Sequence, residues 1–219
     1  MIVAVGNTKG GVGKSTAAVQ IAIALARKNR RVLIINGDRQ KSSLYAISAR
    51  QAAGMHDVSC ILCAEGDDLE QLLKEHGGDF DDVVIDVGGR DSSAFRAALV
   101  HAELLYVPTQ PRAFEDWALE DLTVLLDQAI EARQTLKLPP LRVLAGLSLA
   151  DHGALAADNL DAQRSLKALP QVEFINAPLR RRKAFWFSAA QGLGVAELKP
   201  VDQKAVAELN HLMSRLFNI

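Results

Sequence analysis

Residues Asn7 to Thr16 read NTKGGVGKST, and this stretch decides the fold. Just before it, Ile2–Gly6 (IVAVG) has the short β-branched pattern of a buried strand; just after it, Ser15–Asn29 (STAAVQIAIALARKN) reads as a helix. Between strand and helix, Gly10, Gly11 and Gly13 permit a tight turn whose backbone N–H groups converge on an anion. The helix that starts there adds the positive pole of its dipole. The backbone from Gly10 through Thr16, Val12 included, is therefore a candidate phosphate cradle. Lys14 can reach β- and γ-phosphates, the Ser15 hydroxyl can ligate Mg²⁺, and Thr16 can hydrogen-bond an α-phosphate. The usual pattern is G-x-x-x-x-G-K-[ST]. Here Thr8 replaces its first glycine and a second cation, Lys9, follows. Read locally, Lys9 is either a solvated lysine or a group whose partner lies outside its own loop.

Outward from this loop, the chain alternates strands and helices. Helix 15–29 is apolar on nearly every side, as a helix sandwiched in a core must be, and Arg27 and Lys28 suit its negative pole. Arg31–Asn36, Asp81–Val87, Leu104–Pro111 and Leu141–Leu149 read as further buried strands, with short extended stretches at VSCILC and VEFIN. Helices are expected over 43–53, 68–76, 113–135 and 154–169, and over 201–217, where Ala205, Leu209, Leu212, Met213 and Leu216 share one face. Such alternation predicts an α/β fold, a mostly parallel sheet covered by helices on both faces, with ligands bound at the carboxyl ends of the strands.

The 219 residues suit one domain spanning 1–219, and 49% apolar with 23% charged residues is the balance of a soluble globule. With a net charge of −1 the chain is no polyelectrolyte, so any nucleic-acid contact must come from a local patch. No run of 18 apolar residues suggests a membrane span, and the N-terminus reads as a strand rather than a leader, which together point to the cytoplasm. Cys60 and Cys63 have metal-site spacing, with His56 nearby, but no second pair follows; they read as core thiols.

Two strand ends carry carboxylates. Asp38 follows the second strand in LIINGDRQKS, where a carboxylate facing the phosphate loop can orient water or a metal's shell. VVIDVGG reads as a Walker B strand, in which Asp86 orients Mg²⁺ and the backbone N–H of Gly89 can sense a γ-phosphate. The guanine-reading pattern N-K-x-D does not occur, which favours ATP.

KGGVGKST resembles the deviant Walker A motif, K-G-G-x-G-K-[ST]-T, of the ParA/MinD family of P-loop ATPases. The resemblance implies that Lys9 crosses a dimer interface to the nucleotide of the other subunit, tying ATP binding to dimerisation. It also implies that Asp38 positions the attacking water and contacts the Mg²⁺ shell, since Asp38 and Gln40 match the end of the family's D-x-D-P-Q. Asn36 and Arg39 depart from that pattern, and the loss of the first carboxylate puts metal organisation in doubt. VPTQPRAFEDW resembles the family segment P-x-Q-P…D-x-W, a dimer or partner surface, though Trp117 is equally a core residue. The family's adenine-contacting Asn is missing near VLAGLSLAD, leaving the loop around Pro178 as the candidate.

PLRRRKAFWFSAAQGLGVAE resembles the family's C-terminal pattern. Its run Arg180, Arg181, Arg182 and Lys183 is either a solvated face or, as the family implies, a patch for nonspecific nucleoid DNA, doubled in a dimer. The resemblance thus implies a Mg²⁺-dependent ATP hydrolase that dimerises with ATP. It would be nucleoid-associated and would position a plasmid, chromosome locus or carboxysome through a ParB-like or McdB-like adaptor. Two other readings remain: a MinD-like membrane regulator, disfavoured by a weakly basic last helix, and a metabolic P-loop phosphotransferase, for which no substrate motif stands out.

Overall fold

The structure, a computed structural model, describes residues 1–89, 91–111, 116–152 and 156–218, with side chains at all of these except 116–119 and 156. Its frame is a parallel sheet. The central strand is β1 (Ile2–Val5), flanked by β4 (Asp82–Val87) and β5 (Leu104–Thr109). Outside β4 lie β2 (Val32–Gly37) and β3 (Val58–Leu62); outside β5 lie β6 (Arg142–Ala150) and the two-residue β7 (Glu173–Phe174). A second two-residue strand, β8 (Leu179–Arg180), pairs with the far end of β6.

The strand interiors are apolar on both sides because both faces are covered, as parallel sheets require. Val3, Val5, Val32, Ile34, Val84, Leu104 and Tyr106 pack on one face. That face is closed by α1 (Lys14–Ala26), α2 (Ser42–Ala52), α7 (Lys183–Ala190) and α8 (Gln203–Phe217). Ala4, Leu33, Ile35, Val83, Ile85, Val87, Leu105 and Val107 point the other way. They meet α3 (Gly66–His76), α4 (Ser93–His101), α5 (Asp116–Thr135) and α6 (Ala156–Ala168). The period of two along each strand sorts the side chains between the layers.

Helix α1 is buried along almost its whole length, as its all-round apolar sequence requires. It stops at Ala26 rather than Asn29: Arg27 caps it and Asn29 turns to a φ of 59°. The apolar stripe of α8, Ala205 to Leu216, faces the sheet. Two buried polar ties hold α1 and α2 to the C-terminal segment. Gln20 donates to Ser188 Oγ (2.9 Å) and the Leu193 carbonyl (3.0 Å), and accepts from the Val195 N–H (2.8 Å). Arg50 forks onto Asp57 at 2.7 Å on both nitrogens and reaches Glu197 at 2.8 and 3.0 Å. Among the described residues no helix is long and apolar enough to cross a membrane.

Candidate functional site

The carboxyl ends of β1, β2, β4 and β6 open on one rim of the sheet, where a cleft of about 1030 Å³ lies. Gly10, Gly11, Gly13, Lys14, Ser15 and Thr16 form its floor. Gly13 is the residue before α1 and has a φ of 88°, a left-handed conformation that glycine adopts without steric cost. The loop is braced from below: the Asn7 amide donates to the Pro108 carbonyl at 3.0 Å, and Asn7 Oδ1 accepts the Lys9 N–H at 3.0 Å. Val12 is buried and is not among the residues that line the cleft.

Lys14 is buried at the start of α1, and its ammonium donates to the Lys9 carbonyl at 2.7 Å. Burial pulls its pKa down, against the attraction of Asp86 and Asp38, so both carboxylates lie within electrostatic reach. Asp86 is the residue before the end of β4, level with Val5 of β1 and Asn36 of β2. It is fully buried, and neither carboxylate oxygen makes a hydrogen bond of good geometry. Burial pushes its pKa up to about 6; the Ser43 and Ser15 hydroxyls and the Lys14 charge act against that rise, and Asp38 adds to it. A buried carboxylate without partners is costly unless a cation completes it.

Magnesium suits this arrangement. It is bound by one or two protein oxygens and keeps waters and phosphate oxygens in its shell. Among the described residues no cluster of three acidic, histidine or cysteine side chains forms a closed metal cage. Asp86 and the Ser15 hydroxyl would hold Mg²⁺, with Asp38 at the edge of its shell. Asn36 donates to Ser43 Oγ at 2.7 Å while its own Oδ1 has no hydrogen bond, so it shapes the wall of the site without adding charge.

Asp38 stands half-buried at the end of β2, accepting the Gln40 N–H at 2.9 Å. Its carboxyl lies against Gly88: a Cβ there would sit 3.5 Å from Asp38 Cγ. Gly89 presses on the phosphate loop more closely. A Cβ at Gly89 would come within 2.9 Å of the Gly10 backbone and 3.0 Å of the Lys14 ammonium, so no side chain fits between the two loops. At the cleft mouth Arg39 reaches Glu65 at 3.0 Å, and Glu65 also accepts from Ser93 at 3.0 Å.

The structure thus brings Lys14, Ser15, Thr16, Asp38, Asp86 and Gly89 to one place, as the sequence led us to expect. Pro178 is not brought there among the described lining residues: it is half-buried ahead of β8, and the far wall of the cleft is made by Leu149 and Trp186 instead. The basic run is also not four outward cations. Glu208 of α8 accepts from Arg180 at 2.9 Å and from Arg182 at 3.0 and 2.8 Å, and only Arg181 and Lys183 of the four stand exposed. Lys183 lies 5.3 Å over the Phe187 ring. The Cys60 thiol is pushed up to about 12 by burial, as suits an inert core group. The side chain of Trp117 and residue Arg90 lie outside what the structure describes. Ser43, Leu149 and Trp186 carried no motif that would have flagged them.

A glycine loop between a buried strand and a buried helix, with a lysine and two strand-end carboxylates around it, is the arrangement of a P-loop protein. A family model described as an AAA domain matches residues 1–76, which hold the loop and Asp38. The chain is 35% identical over 202 residues to maintenance of carboxysome distribution protein A of Gloeobacter kilaueensis, covering 90% of this chain and 84% of that protein. It is 30% identical over 188 residues to the chromosome-partitioning ATPase Soj of Thermus thermophilus, covering 74% of each. The fold matches Cyanothece McdA, solved as an ATP complex, with a TM-score of 0.71 at 15% identity, over 96% of this chain and 95% of that one. The chain belongs to the ParA/MinD family of P-loop ATPases.

Proposed function

We propose that this protein is a Mg²⁺-dependent ATPase of the ParA type, which dimerises on ATP, holds nucleoid DNA nonspecifically and positions a cargo through an adaptor protein. The observation that carries the reading is the fully buried Asp86 carboxylate, without a hydrogen bond of good geometry and within electrostatic reach of Lys14 and Ser15 at the glycine loop. Its chemistry calls for a divalent cation with phosphate oxygens. The Gly10–Thr16 backbone binds the phosphates and Lys14 neutralises the terminal ones, leaving its bond to the Lys9 carbonyl to do so. Bound Mg²⁺ supplies charge neutralisation on the phosphate oxygens. Asp38 orients the attacking water, and the Gly89 N–H reports whether the terminal phosphate is in place. Lys9, at the edge of the loop, reaches the nucleotide of a second copy.

Similarity to a carboxysome-distribution protein over most of both chains favours a protein-organelle cargo, with a plasmid or chromosome locus as the alternative. A membrane-bound role is disfavoured because α8 spends its apolar face on the sheet. The test pairs two variants. Lys14→Ala abolishes ATP binding, while Lys9→Ala binds ATP normally but loses ATP-dependent dimers, read by light scattering, and turnover. Nucleotide affinity in Lys14→Ala within a few-fold of the parent overturns the phosphate-loop assignment, and a normal Lys9→Ala dimer overturns the trans contact.

A further inference from the structure

We infer that Trp186, with Leu149 on the same wall of the cleft, forms the surface on which the base of a bound nucleoside di- or triphosphate stacks; this rests on the nucleotide reading of the cleft. The cleft is polar where the phosphate loop and the strand-end carboxylates meet. Its large apolar side chains are Leu149 and Trp186, and Trp186 is the one aromatic among the described lining residues. Trp186 is 57% exposed, although it sits on a helix whose other face, Phe185 and Ala189, is packed in the core. An indole left open at the rim of a phosphate-binding cleft offers a flat surface to a flat base.

Two further features favour this place. Leu149 has a φ of 52°, a left-handed conformation that a leucine holds only where its surroundings impose it, and such strain gathers at ligand sites. It directly follows Ser148, whose hydroxyl would lie 2.9 Å from a Cβ on Gly13, so this wall abuts the phosphate loop itself. The helix that carries Trp186 is also locked to the helix that carries the phosphate loop: Gln20 of α1 holds Ser188, two residues beyond Trp186, at 2.9 Å. Indole and phosphate loop therefore keep a fixed spacing, which is what a site for a rigid base-to-phosphate ligand needs.

The ligand pair that tests this is ADP against inorganic pyrophosphate, both with Mg²⁺, measured by calorimetry so that no dimer or turnover is required. Base stacking on an aromatic side chain is worth about ten-fold in affinity. Trp186→Ala should weaken ADP about ten-fold and leave pyrophosphate unchanged, and Trp186→Phe, which keeps an aromatic face, should recover most of the loss. Equal ADP affinity in Trp186→Ala and the parent overturns the inference while leaving the nucleotide reading intact. An equal loss for ADP and pyrophosphate does the same, because it would mean that the indole supports the loop rather than the base. If the parent binds neither ligand, the nucleotide reading falls and this inference with it.

Discussion

Asp86 carries a larger cost than the neutral buried groups left without a hydrogen bond, such as Asn36 Oδ1 and the Tyr106 hydroxyl, because it is a carboxylate. Its carboxylate is fully buried with neither oxygen in a hydrogen bond of good geometry, and only the Ser43 and Ser15 hydroxyls and the Lys14 charge favour its ionised form. A buried charge without partners destabilises a protein, and a neutral group of the same shape removes that penalty. Asp86→Asn should therefore make the metal-free protein more stable at neutral pH, by roughly 2 kcal/mol. Thermal melts in chelator and in Mg²⁺ check this. The parent should gain stability from the metal and the variant should not; a variant less stable than the parent in chelator would show that the carboxylate is satisfied without a cation. This residue was legible in the sequence because its context is local: four apolar strand residues, an aspartate, then glycines. Ser43 was not legible, since its meeting with Asn36 depends on how α2 packs across β2.

At the level of elements, Glu208 fastens α8 to the start of α7. Burial acts against its charged form, but the Arg182 guanidinium, the Arg180 N–H and the Arg180 guanidinium outweigh burial and hold its pKa below the ordinary 4.5. A carboxylate whose folded pKa is depressed stabilises the fold above its unfolded pKa, and that contribution is lost as pH falls through the folded value. Glu208→Gln should cost about 2 kcal/mol at pH 7, a typical value for hydrogen bonds to a charged group. The cost should shrink as pH falls below about 4.5. Denaturant melts of parent and variant across pH check it; a constant difference would mean that packing, not charge, holds α8. The sequence showed the four cations but not their fate. Glu208 lies 26 and 28 residues from its two arginines, and an amphipathic helix does not announce which polar residue turns inward. The two-residue strands and α7 were missed or indistinct for a related reason: they are held by neighbours rather than by their own periodicity. The long helices and central strands needed no such help, because their apolar patterns are long enough to declare their type, and in α8 its buried face as well.

For the molecule as a whole, the proposed DNA contact must work with less charge than the sequence suggested. Arg180 and Arg182 are committed to Glu208, which leaves Arg181 and Lys183 exposed in each copy. Each phosphate contact contributes a salt slope of about −0.9 in log affinity against log salt. If the proposed dimer sets both pairs on one duplex, ATP should switch DNA binding on by doubling the contacts. Arg181→Glu with Lys183→Glu should abolish binding to random-sequence duplex while ATP-dependent dimers persist. Changing Arg182 instead would set a new carboxylate against Glu208 and confound affinity with stability. Fluorescence anisotropy over a salt series, with and without ATP, reads the result; an unchanged slope in the double variant places the DNA surface elsewhere.

The parallel register has a consequence for how this chemistry can vary. Val5, Asn36 and Asp86 stand level across three strands, and Asp86 lies between Ile85 and Val87, which point to the opposite layer. Because successive side chains alternate faces, one residue inserted or deleted within β4 would turn the carboxylate away from Lys14 and into the apolar packing around Phe95. The same alternation that fills two hydrophobic layers is the ruler that aims the acid.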